Sequence, residues 1–104
     1  MAEQQDTLQE SLVIRLDAPI TSLNGQEAWQ EVPLREPYFH EVSGFYKERD
    51  KTNPHDAMAW LMAKISEVNQ IAITKMPIRK FREGQAYLLA FLNWFPTSED
   101  GKTK

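Results

Sequence analysis

From Ser11 the chain alternates, with Leu12, Ile14 and Leu16 on one face and Val13, Arg15 and Asp17 on the other. A period of two with β-branched residues predicts a half-buried strand, which Pro19 ends or leaves as an edge. Asn24-Gly25 marks a turn, because both residues tolerate positive φ. A second alternating run sets Ala28, Gln30, Val32 and Leu34 against Trp29, Glu31 and Pro33. Pro33 removes one ladder donor, so this strand is short or places that position at an edge. Residues 11–35 therefore read as an antiparallel hairpin.

The period then changes. Pro37 suits a first helical turn, and Tyr38, Phe39, Val42, Phe45 and Tyr46 recur at helical spacing. Ser43-Gly44 weakens that helix. Asn53-Pro54 is a stronger start: Asn caps orphan amides, Pro presets φ, and Asp56 suits the positive end of the helix dipole. Met58, Leu61, Met62, Ile65 and Val68 then share one face until Asn69-Gln70 breaks the pattern. Residues 71–76 form a short connector. Pro77 opens a third helix with Ile78, Phe81, Gln85, Leu88, Leu92 and Phe95 down one side, and Pro96 stops it. The expected fold is α+β, an N-terminal hairpin packed on a three-helix C-terminal bundle. A hairpin alone is marginal in water, so the helices must cover its apolar face. The domain spans 11–96, between a flexible arm at 1–10 and a flexible tail at 97–104.

Composition narrows the function classes. The 104 residues make one domain with an ordinary 41% hydrophobic content. The absence of cysteine excludes disulfides, thiolate metal sites and a cysteine nucleophile, and fits a cytosolic protein. The acidic, polar start does not read as a secretory signal, and no apolar run reaches bilayer-spanning length. A net charge of −3 gives no global pull toward nucleic acid or anionic membrane.

Candidate chemistry is sparse. Glu36 and His40 stand at i, i+4, but no third ligand follows at a diagnostic spacing. His55 and Asp56 are explained by the helix start. Neither a nucleophile elbow nor a phosphate-binding glycine loop is present. The expectation is a non-enzyme without metal or cofactor. The basic run Lys75, Arg79, Lys80 and Arg82 supports an alternative, a small nucleic-acid-binding or regulatory module. Against it, the chain is net acidic and Glu83 follows at once. Basic residues are locally unfavourable at a helix start and could answer to an acidic partner surface.

Tyr87–Phe95 (YLLAFLNWF) is the most informative segment. Leu88, Leu92 and Phe95 continue the core face, while Tyr87, Phe91 and Trp94 form a second stripe roughly 100° away. Either the hairpin and another helix sandwich this helix, or the stripe is a groove for a partner helix or for self-association into a homo-oligomer. Trp60 lies off the Met58/Leu61/Ile65 face and could join the patch. The candidate partner-binding residues are Trp60, Tyr87, Phe91 and Trp94.

The hairpin segment NGQEAWQEVPLREP resembles the tail assembly chaperone family of contractile- and long-tailed phages, most closely its Mu-like prophage branch. Residues 59–92 are similar to that family's second half: a helix, a polar break, an I-x-K-[LM] connector at Ile73–Met76, and a terminal helix closing on Phe91-Leu92. The likeness spans about 12–95, with Leu34-Arg35-Glu36-Pro37 its most specific piece. Tyr38 replaces a small capping residue, and Arg79–Arg82 replace an acidic helix entry. The resemblance implies a non-enzymatic protein that binds the tape measure protein and keeps it soluble during tail morphogenesis. It further implies action in the bacterial cytoplasm, absence from the mature virion, and a longer frameshifted form as a further partner.

Overall fold

The computed structural model describes residues 8–96. The expected arm, apart from residues 8–10, and the expected tail at 97–104 lie outside the described residues. Strands β1 (Ser11–Thr21) and β2 (Ala28–Arg35) form the antiparallel hairpin. Leu12 faces Leu34 and Ile14 faces Val32, so both strands put their apolar residues on one side. The Asn24-Gly25 turn forms, with Asn24 Oδ1 accepting from the Gln26 amide at 3.0 Å.

β1 does not stop at Pro19. Its pairing shifts between Arg15 and Ile20, after which Ile20 pairs with Trp29. Pro19 falls inside this bulge, where its missing N–H leaves no ladder bond unmade. The Gln30 side-chain amide donates to the Leu16 and Asp17 carbonyls at 3.2 and 3.3 Å, replacing ladder donors there.

Four helices follow: α1 (Phe39–Lys51), α2 (Pro54–Ser66), the single turn α3 (Gln70–Ile73) and α4 (Ile78–Leu92). Pro37 lies before α1 rather than in its first turn, and Tyr38 is the N-cap. Asn53 caps α2 as its sequence predicts, accepting from the Asp56 amide at 2.9 Å. α2 ends earlier than Asn69-Gln70. Glu67 takes a left-handed conformation (φ 65°), and the Ser66 hydroxyl donates to the Met62 carbonyl while accepting from the Val68 amide. Asn69 instead opens α3, accepting from the Ala72 amide.

α1 packs on α2, α2 on β2, and α4 on β1. The core is built from Ile14, Val32, Leu34, Met58, Leu61, Met62, Ile73 and Leu88, all almost wholly buried. Each contributes on the order of 2 kcal/mol by leaving water. Gly84 lets α4 approach both the hairpin and α2: a Cβ there would meet Ile14 Cδ1 and Met62 Cε at 2.9 Å. Two residues assigned to the core side of α4 are not in the core. Ile78 is 56% exposed at its start and Phe95 is 78% exposed beyond its end. Tyr38 and Phe39 are also exposed, because the helix they introduce buries Glu41 and Phe45 and only half-buries Val42.

Candidate partner-binding surface

Helix α4 is anchored by Phe81, Gly84 and Leu88. That placement fixes where the second stripe lies. Tyr87 and Phe91, one turn apart, meet edge to face with centroids 5.2 Å apart. The Tyr87 hydroxyl donates to the Gln9 carbonyl at 2.9 Å, tying the helix to the chain that enters β1. Burial, and then the charges of Glu36 and Glu10, push the Tyr87 phenol above its ordinary pKa.

α4 ends at Leu92 because Asn93 leaves helical geometry and Pro96 lies shortly beyond. Trp94 and Phe95 therefore lie past the helix, and Trp94 is 46% exposed. Phe91 and Trp94 line an open hollow of about 370 Å³ with Leu8, Gln9, Glu10 and Glu36. The surface offers bulky aromatic faces beside two carboxylates. Among the described residues no group of three or more His, Asp or Glu side chains could hold a metal ion.

Trp60 is not beside these aromatics. It is half-buried on the α1 side of α2, with its ring over Gly44 and the Lys64 ammonium 5.7 Å from the ring centroid. The structure thus brings Tyr87, Phe91 and Trp94 together and leaves Trp60 as packing between two helices. Phe95 belongs with the exposed group, and its place after a helix-ending Asn is the signal that could have found it.

The basic run is also dispersed by the fold. Lys75 Nζ donates to Thr21 Oγ1 at 3.1 Å and to the Ser22 carbonyl at 3.3 Å, clasping the hairpin tip. Lys80 lies 4.0 Å from Glu83. Arg79 and Arg82 remain exposed on the first turns of α4.

At the exit of the hairpin, Arg35 forks onto Glu41 with Nη1–Oε1 at 2.9 Å and Nη2–Oε2 at 2.8 Å. Glu41 Oε1 also accepts from the Tyr38 amide at 2.8 Å, and the guanidinium lies 4.4 Å from the Tyr38 ring centroid. The Leu34-Arg35-Glu36-Pro37 segment is therefore a joint: Leu34 and Pro37 are buried and Arg35 locks the start of α1. The family model described as "Phage tail assembly chaperone proteins, E, or 41 or 14" matches residues 13–93, from β1 to the end of α4. The chain belongs to the phage tail assembly chaperone family.

For a tail assembly chaperone, a surface that binds proteins in place of a catalytic cleft is the expected equipment, and the family points to a non-enzymatic role. No helix among the described residues is long and apolar enough to cross a membrane. Comparison with curated proteins and with solved structures gives no significant match.

Proposed function

We propose that this tail assembly chaperone binds the tape measure protein of its phage and keeps it soluble until the tail tube forms around it. It acts in the host cytoplasm and does not remain in the finished virion. The observation that carries this reading is the aromatic end of α4, where Trp94 and Phe95 stand exposed beside half-buried Phe91. A long helical protein exposes amphipathic faces that aggregate, and an aromatic surface on a small partner can mask them. Glu10 and Glu36 at the same hollow suit helices that carry Lys or Arg beside their apolar stripe. Each contact is small, so coverage comes from many copies along one partner, and tube subunits displace them one at a time.

Co-expression with the phage's tape measure protein tests this. The expected result is co-purification together with a rise in soluble tape measure protein. Well-folded chaperone that neither co-purifies nor raises solubility would overturn the reading.

A further inference from the structure

The hollow at the aromatic end of α4 continues along the helix. Leu8, Gln9 and Phe91 line both it and a second hollow of about 390 Å³, which runs on to Ala90, Ala86 and Glu83. Together they form one groove between α4 and the chain that enters β1. The Tyr87 hydroxyl ties its two walls together at the Gln9 carbonyl. From Glu83 to Phe91 the groove follows about 12 Å of α4, room for two turns of a second helix. Ala86 and Ala90 stand one turn apart and are both exposed, so another helix backbone can approach closely there.

The charges in the groove select its occupant. Three glutamates line it, Glu10, Glu36 and Glu83, and no lysine, arginine or histidine does. Lys80 lies 4.0 Å from Glu83, so the excess negative charge is at the Glu10–Glu36 end. Among the described residues neither of those two makes an ion pair. The fold holds both in place. The Tyr87 bond to Gln9 fixes the backbone beside Glu10. Arg35 Nη1 donates to the Glu36 carbonyl at 3.0 Å, while its charge is engaged by Glu41. After burial, the charges of Glu36 and Glu10 help to raise the Tyr87 phenol, so their field reaches along the groove. Two carboxylates converging on one apolar hollow are unfavourable until a cation answers them.

We infer that the groove seats one basic amphipathic helix of a partner protein. Its apolar face lies over Ala86, Ala90 and Phe91, and a lysine or arginine enters beside Glu10 and Glu36 against the Trp94 ring. The inference rests on the reading above only in naming the tape measure protein as that partner.

The test uses the full chain, ¹⁵N-labelled, titrated with two synthetic helical peptides. They share one apolar face and carry either Lys or Glu on the polar face. The Lys peptide is expected to shift the amides of Gln9, Ala86, Ala90 and Phe91 and the Trp94 indole N–H. E10Q/E36Q should weaken it by about threefold to tenfold. A86R/A90R should abolish those shifts while leaving far-UV circular dichroism unchanged. No binding of the Lys peptide, equal binding of the Glu peptide, or shifts centred on another surface would overturn the inference. So would a dimer in sedimentation without peptide that A86R/A90R dissociates. Co-purification separates this inference from the reading it deepens. A Lys peptide that binds the groove while the tape measure protein does not co-purify supports the groove and removes that partner. Tape measure protein that co-purifies equally with the parent, E10Q/E36Q and A86R/A90R keeps the partner and overturns the groove.

Discussion

Arg35 and Glu41 form a two-pronged ion pair that joins the end of the hairpin to the first turn of α1, with both N···O distances under 3 Å. The Glu41 side chain is nearly buried while Arg35 is about one-third exposed. The Arg35 hydrogen bonds, together with the Tyr38 amide, hold the Glu41 carboxyl below its ordinary pKa, against the opposing effect of burial. A carboxyl lowered in the folded state stabilises it fully above the ordinary carboxylate pKa. That contribution is lost as pH falls through the folded value. Glu41→Gln is therefore expected to cost about 1–2 kcal/mol at neutral pH, with solvent at Arg35 keeping the figure low. Urea melts should show the gap between mutant and parent closing in acid. A gap independent of pH would mean that the pair's charge is not what stabilises the joint.

Gly44 offers a test in which local propensity and packing predict opposite signs. Propensity alone says that Gly44→Ala stabilises α1 by about 1 kcal/mol. In the fold, an added Cβ would lie 3.0 Å from Trp60 Cζ3 and closer still to Cη2. The indole is held between two helices, so overpacking should dominate and the substitution should cost about 1–3 kcal/mol. A double-mutant cycle with Trp60→Leu checks the cause, since the penalty of Gly44→Ala should shrink when the ring is gone. A stabilising Gly44→Ala would show that the Trp60 ring moves aside freely.

These two contacts also mark what the sequence could and could not disclose. Features set by neighbours in the chain were legible: the hairpin alternation, the Asn53 cap and the Asn24-Gly25 turn rest on local chemistry. Contacts set by tertiary geometry were not. Arg35 and Glu41 carry no periodic signal, and Lys75 read as part of a basic patch because its partners Thr21 and Ser22 lie more than fifty residues away. On α4 the helical period extended the core face to Ile78 and Phe95, but burial on this helix runs only from Phe81 to Leu88. The stripe of Tyr87 and Phe91 was legible because the two residues stand one helical turn apart, a local spacing.

Glu67 stops α2 in a left-handed conformation that side chains with a Cβ resist. Glycine accepts it without that strain. Glu67→Gly should therefore raise stability by about 0.5–1 kcal/mol, less whatever the freer unfolded chain takes back. The urea midpoint should rise. A fall would indicate that the Glu67 side chain contributes contacts worth more than the backbone strain it imposes.

Replacing both Phe91 and Trp94 with serine separates binding from folding. Trp94 is exposed and Phe91 only half-buried, so the pair should cost on the order of 1–2 kcal/mol and leave a cooperative melt. Tyr87 is a poorer probe, because its hydroxyl and ring hold the start of β1 to α4, and changing it confuses the two effects. The double mutant is expected to lose tape measure co-purification while keeping the parent's far-UV circular dichroism. If it unfolds, the stripe is core. If it folds and still binds, the partner uses a surface elsewhere, and Tyr38 and Phe39 at the start of α1 become the next pair to change.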